Sequence, residues 1–271
     1  MNTKTLSDLL AWNPVCESAF DASGALPVKS VRRSDTGGII GVVGHDRTVV
    51  SNKAIIEDCI QFGNALNVDT DKARVYEVHG GASIRIEFPL GSMNPGGDEI
   101  AKSIRFCASH DSTVRRYAII NYERGSCLNV FIAQVVDKGL FAKFSKNHEA
   151  NWKDRSIRFA QQFLESSQRV EKMIETLQNQ KVSAQKARAV IKKWVPGESK
   201  RAENTREQIS ELFHSGRGNA GQTGWDLLNG MTEYANHHRS YKETANVGRE
   251  ENRFLGIEKL DIEELAKPIL A

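Results

Sequence analysis

From Gly37 to Ala133 the apolar residues fall in short runs and alternations broken by glycine and polar turns: GGIIGVVG, RTVVSN, ARVYEV, ASIRIEF, SIRFCAS, VRRYAIINY and CLNVFIA. Runs of this length, rich in β-branched residues and bounded by turn formers, predict strands. The clearest is Val75 to Phe88, where Tyr76 and Val78 precede His79-Gly80-Gly81-Ala82, and Ile84, Ile86 and Phe88 alternate with Arg85 and Glu87 after it. That is a β-hairpin with glycines at its turn. Asn94-Pro95-Gly96-Gly97-Asp98 marks a second loop. Ser51 to Asn67 reads as one helix among the strands, with Ile55, Ile56, Cys59 and Phe62 on one side and Ser51-Asn52 as its cap.

After Asn151 the period changes. Phe159, Phe163, Val170, Met173, Ile174 and Leu177 recur every three or four residues among Gln, Glu, Lys and Ser, which predicts a long amphipathic helix. Ala184, Ala187, Ile191 and Trp194 predict a second that stops at Pro196-Gly197, and Arg201 to Phe213 a third. The loop Ser215-Gly216-Arg217-Gly218-Asn219-Ala220-Gly221 then leads into Gln222 to Arg239, QTGWDLLNGMTEYANHHR. Here Thr223 is placed to cap a short helix whose Trp225, Leu228, Met231 and Tyr234 or Ala235 form one apolar docking face. Gly230 inside it points to close packing or a kink. Strands first and helices afterwards imply an α+β fold, with an antiparallel β-rich N-terminal half containing a hairpin and a helical C-terminal half.

The segment ending in Glu233-Tyr234-Ala235-Asn236-His237-His238-Arg239 resembles the matching part of a phage and plasmid-like protein family classed as a domain of unknown function. There, an aromatic-containing helix ending in a Glu-Tyr-x-x-His-x-Arg-like run follows a Gly- or Thr-containing loop. Ile104 to Asn129 resembles the same family's strand, His-Asp turn, strand and Cys-x-Asn element, with Arg124-Gly125-Ser126-Cys127-Leu128-Asn129 departing from its more usual Val-Cys-x-Asn-Thr. The resemblance spans about residues 75 to 240 and implies an origin on a mobile element without implying an activity. At the level of fold alone, the hairpin and following strands are similar to the β-rich core of phage single-strand annealing proteins, which form rings and hold DNA in a basic groove.

Charge divides the 271 residues into three. Residues 1–142 carry 15 Lys and Arg against 16 Asp and Glu, residues 143–249 carry 19 against 12, and residues 250–271 carry 3 against 6. The expected organisation is therefore a β-rich core with one early helix (1–142), a basic helical region (143–249) and an acidic tail (250–271). A basic middle suits an anionic partner, although solvated lysines on helices give the same pattern. The tail's Phe254, Leu255, Ile257, Leu260, Ile262, Leu265 and Ile269 suit either docking on replication or transcription proteins or completion of the fold. No apolar run approaches the roughly 20 residues that span a bilayer, and the N-terminus lacks a signal-peptide pattern, so the expected compartment is the cytoplasm.

Candidate catalytic chemistry is thin. Cys16, Cys59, Cys107 and Cys127 are scattered, without zinc or redox spacing, and read as reduced thiols. Gly37 to Gly44 reads as a bulged strand or hairpin rather than a dinucleotide loop, and no P-loop exists. His110-Asp111 lacks the further ligands of a metal phosphohydrolase and reads as a turn. His237 and His238, being adjacent, do not share a helix face. Ser126-Cys127 has no identifiable base. No catalytic residue, metal or cofactor is assigned.

Basic residues interleaved with aromatics carry the functional expectation. Lys181, Lys186, Arg188, Lys192, Lys193, Lys200 and Arg201 surround Trp194, with Glu198 the one acid among them. Such cations meet phosphates, and a tryptophan stacks on bases unless it serves as the apolar anchor of its helix. A second set, Arg115, Arg116 and Arg124 around Tyr117 and Tyr122, would place Arg115 and Tyr117 on one accessible sheet face. The expected function is non-sequence-specific binding of single-stranded DNA, with possible annealing, by a homo-oligomer through Arg115, Tyr117, Lys186, Arg188, Lys192, Lys193, Trp194 and Arg217. The alternatives are an interaction protein that modulates a host defence or polymerase complex, and a nucleic-acid-processing enzyme whose site has no sequence signature.

Overall fold

The computed structural model describes residues 3–22, 24–111, 117–125, 129–134, 152–242, 249–257 and 259–271. The fold is α+β. Helix α1 (Leu6–Leu10) precedes strands β1 (Pro14–Asp21), β2 (Gly24–Arg33) and β3 (Ile39–Gly44), and α2 (Asn52–Ala65) follows. Five strands come next: β4 (Arg74–Val78), β5 (Ser83–Met93), β6 (Ile100–Ser109), β7 (Tyr117–Arg124) and β8 (Asn129–Gln134). The helical half holds α3 (Trp152–Asn179), α4 (Ala184–Trp194), α5 (Lys200–Ser215), α6 (Gly224–Glu233), α7 (Arg249–Ile257) and α8 (Ile262–Leu270). One sheet has the order β1-β2-β3 and the other β4-β5-β6-β7-β8.

Two compact units divide the chain. The first gathers Met1–Leu90, Ser103–Ile119 and Val135–Phe163, and the second Gly91–Lys102, Ile120–Gln134 and Leu164–Ala271. In the first, α2 starts where expected, with the Ser51 hydroxyl accepting the Ala54 N–H at 3.1 Å. Ile55, Cys59 and Phe62 from its inner face join Leu9, Val31, Val75, Ile84, Ile86 and Phe88 in the core. The hairpin is antiparallel with Val75 opposite Ile86, and the left-handed glycines Gly80 and Gly81 lie at its turn. Glu77 ties the N-terminal segment to it. Its carboxylate accepts from Trp12 Nε1 at 2.9 Å and Arg33 Nη1 at 2.7 Å and pairs with Lys4 Nζ at 2.8 Å, while the Arg33 guanidinium lies 3.9 Å over the Trp12 ring. Burial raises the Glu77 pKa, but these three donors outweigh it and leave the carboxyl below its ordinary value.

Three expectations need correction. Strands begin at Pro14 rather than near Gly37, because the β1–β2 hairpin turns at Asp21–Gly24. RTVVSN is not a strand: Arg47 N–H closes a turn on Gly44, and Ser51 already caps α2, leaving too few residues between them. Finally, α6 does not dock one face, since all ten of its residues are buried. The Gly37 to Gly44 run is a bulged strand as expected, with the register of β3 slipping opposite Val31 and Arg32.

In the second unit α6 crosses α5 where Gly230 permits it. A Cβ on Gly230 would lie 2.8 Å from Phe213 N and 3.1 Å from Phe213 Cα, which is backbone and cannot swing aside. Gly230→Ala gains about 1 kcal/mol of helix propensity, but overpacking costs typically about 1–3 kcal/mol. The expected result is net destabilisation, read as a lower urea midpoint with an unchanged slope. An unchanged or raised midpoint would show that α5 and α6 can spread at no cost.

Candidate nucleic-acid interface

The glycine-rich loop before α6 has the outline of an anion cradle, yet its own carboxylates fill it. Asp226, at the third position of α6, accepts from the backbone N–H groups of Ala220 (3.2 Å), Gln222 (3.1 Å) and Thr223 (3.0 Å) and from the Thr223 hydroxyl (2.9 Å). Thr223 in turn accepts the Asp226 N–H, completing a capping box. Glu233 accepts the Arg217 N–H at 3.2 Å. Asn219 Nδ2 donates to Leu212 O at 2.9 Å and Asp226 O at 3.2 Å. Donors already committed to carboxylates are not offered to a phosphate, so the loop's contribution to an anion is the exposed Arg217 side chain.

Beneath the loop lies a buried cation. Arg124, 4% exposed, donates through Nε to Asp98, through Nη1 to Arg217 O (3.2 Å) and Asn219 Oδ1 (3.1 Å), and through Nη2 to Gly218 O (3.0 Å). Asp98 also accepts Trp225 Nε1 at 2.8 Å. The planar fork of arginine matches three acceptors and a carboxylate at once, so this side chain is a clip that sets the loop's path. Tyr122 is likewise fully buried, and burial pushes its hydroxyl well above the ordinary phenol range. Of the second basic set, Tyr122 and Arg124 therefore point into the unit; alternation along β7 puts them on the face opposite to Tyr117. Arg115 lies outside the described residues, and Tyr117 opens β7 with its side chain outside the described set.

The basic helix is α4. The Ser183 hydroxyl caps it through the Lys186 N–H at 3.2 Å, and Ala187, Val190 and Ile191 are buried. Their 3.6-residue spacing leaves Arg188, Lys192 and Lys193 exposed and Lys186 half-buried on the remaining arc. Lys192 pairs with Glu198 at 3.1 Å, both ends well exposed, a contact worth about 0–1 kcal/mol and readily exchanged for a phosphate. Lys186, Arg188 and Lys193 make no ion pair with a described residue. The turn beyond is fixed by Arg206 Nη1, which donates to Val195 O (3.1 Å) and Gly197 O (2.6 Å). Trp194 is half-buried and meets Tyr234 edge-on, with ring centroids 6.4 Å apart. Its position continues the apolar arc of α4, so it anchors the helix while keeping part of its ring open.

The other candidates fall into place as structure. His110 is 2% exposed, its Nδ1 lies 2.7 Å from Val50 O, and its ring meets Trp12 edge-on. Cys59 is buried and its thiol is pushed up by desolvation, away from nucleophilic character. Cys16 is exposed and Cys107 buried, while Ser126 and Cys127 lie outside the described residues. No group of three His, Cys, Asp or Glu residues suited to a metal occurs among the described residues. Residues 262–270 of the acidic tail form α8, whose Ile262, Leu265, Ala266 and Ile269 are buried. That apolar content completes the unit.

The features that sequence reading missed are Asp98, Asn219, Asp226 and Glu233 as the loop's fasteners. The Asp226 capping box was open to detection from Thr223-x-x-Asp226, whereas the Asp98–Trp225 contact spans 127 positions.

These observations define an α+β protein with a buried arginine clip under a glycine loop and a basic helix beside it. The model of a family described as a domain of unknown function, DUF932, matches residues 40–254, and the chain belongs to that family. No curated protein and no solved structure matches it. Among the described residues no helix is long and apolar enough to cross a membrane.

Proposed function

We propose that this protein binds single-stranded DNA without strong sequence preference, through the outer arc of α4. The observation that supports the reading is the exposure of Arg188, Lys192 and Lys193 on one rigid, capped helix, with Glu198 the nearest acid in sequence. Lys186 and Arg217 add charge and the open part of Trp194 offers a stacking surface, while Arg115 and Tyr117 are proposed as separate contacts. In this reading the protein is phage- or plasmid-borne, acts in the host cytoplasm as a homo-oligomer in replication, recombination or transcription, and engages partner proteins through the acidic outside of its tail.

The test is fluorescence anisotropy with labelled single- and double-stranded DNA across a salt series, with a parallel magnesium lane. Single-strand preference without cleavage is expected. Lys192→Ala together with Lys193→Ala should weaken binding and lower the salt slope by about 1.4, at about 0.7 per phosphate on a single strand. Unchanged affinity and slope in a variant with an intact circular dichroism spectrum would remove α4 from the interface. Binding that is weak and blind to strandedness would overturn the reading and favour an acidic protein as the partner of the same face. Magnesium-dependent cleavage would favour an enzyme.

A further inference from the structure

The run His237-His238-Arg239-Ser240-Tyr241-Lys242 holds four groups able to carry positive charge and no acid, and the reading above leaves it unused. It leaves α6 through a π-helical turn, Tyr234–His238. Such turns are rare and recur at functional sites, because the inserted residue re-aims the side chains that follow. His237, His238, Arg239 and Lys242 are exposed.

The turn is braced rather than loose. Tyr241 Oη donates to Ala235 O at 3.0 Å, and its ring fills the space where a Cβ on Gly256 would stand, 2.4 Å away. The Arg239 guanidinium lies 5.4 Å over the centroid of that ring. From α7, Arg253 Nη2 comes within 3.4 Å of His237 Nδ1, so two nitrogen-bearing groups converge on one spot. At the other end of the turn, Tyr234 touches Trp194, the last residue of α4.

We infer that the π-helical turn is a second contact point for the backbone of the same DNA strand. Arg239, His237, His238 and Arg253 meet a phosphate there, and the Tyr241 ring holds Arg239 in place. The track then runs from the cations of α4 past Trp194 and Tyr234 to the turn. Arginine suits this role because its fork grips phosphate oxygens in pairs. The inference rests on α4 being the single-strand surface.

The full chain, the Lys192→Ala/Lys193→Ala variant and a His238→Ala/Arg239→Ala variant would be compared on labelled oligothymidylates of stepped length. On long strands the turn variant should bind about 3- to 10-fold more weakly, with a salt slope lower by about 0.7, the share of one phosphate. On the shortest strands that still bind, its deficit should vanish while that of the α4 variant remains. Arg239→Lys, which keeps the charge but neither the fork nor the stacking, should keep the parent's salt slope and lose only part of the affinity; a deficit and a slope change as large as the double variant's would show a packing effect and overturn the inference. So would a turn variant indistinguishable from the parent at every length while the α4 variant is weakened. Matched-ionic-strength buffers of inorganic phosphate and chloride separate the two anion sources: a turn contribution to DNA binding in chloride supports the strand as occupant, whether or not phosphate competes it away, whereas thermal stabilisation by inorganic phosphate that the turn variant loses, with no DNA deficit at any length, assigns the turn to the free ion and overturns the proposal. If the parent itself binds no single strand, the α4 reading fails first.

Discussion

Arg124→Met should lower the stability of the second unit by about 3–5 kcal/mol, the range seen when one partner of a buried ion pair is removed. The side chains of Arg124 and Asp98 are 5% and 13% exposed, so the carboxylate has little water to turn to for compensation. Asp98 would keep only Trp225 Nε1 among its described donors, and Gly218 O and Arg217 O would each lose theirs. Urea denaturation followed by tryptophan fluorescence reads the loss. A cost below about 1 kcal/mol, typical of an exposed pair, would mean the loop finds its path without the clip. A double-mutant cycle with Asp98→Asn isolates the pair: coupling well above 1 kcal/mol is expected.

The second large effect is at Asp226. Its carboxylate gathers three backbone N–H groups and one hydroxyl within 3.2 Å, and it is 6% exposed. A hydrogen bond to a charged group contributes about 1.5–3 kcal/mol, and a lost cap costs about 0.5–2 kcal/mol. Since bonds to one side chain are not additive, Asp226→Ala is expected to cost about 3–4 kcal/mol, by the same measure. Asp226→Asn keeps the shape but loses the charge and one acceptor, so it should fall between. If the asparagine variant matched the parent, the loop donors would not depend on a carboxylate, and the loop would again be open as a site for an outside anion.

How much of this was legible follows from the distance over which each feature acts. The Ser51 and Thr223 caps, the β4–β5 hairpin and the break at Pro196-Gly197 are decided by residues a few positions apart, and periodicity exposes them. Gly230 announced close packing because a mid-helix glycine has few other uses, though not that Phe213 would be the neighbour. The role of Arg124 was not legible, because a basic residue beside tyrosines in a strand looks the same whether the face is wet or covered. Its burial depends on Asp98, 26 positions earlier, and on Gly218, 94 positions later. The cations of α4 were readable as a cluster. Which of them share the open arc, and that Trp194 closes onto Tyr234, required the helix to be placed.

The C-terminal helix carries a consequence for the order in which the chain is made. Ile269 fills the space beside Gly224, where a Cβ would come within 3.0 Å of its Cγ2, and its carbonyl accepts Gln180 Nε2 at 3.0 Å. The buried start of α6 is therefore only partly covered, by Leu177 of α3, until residues 262–270 have left the ribosome. Until then α6 is covered by α5 and by Leu177 but lacks the apolar cover of Ile269, a state in which apolar surface meets the wrong neighbours, so Ile269→Ala should raise the chain's dependence on chaperones in the cell.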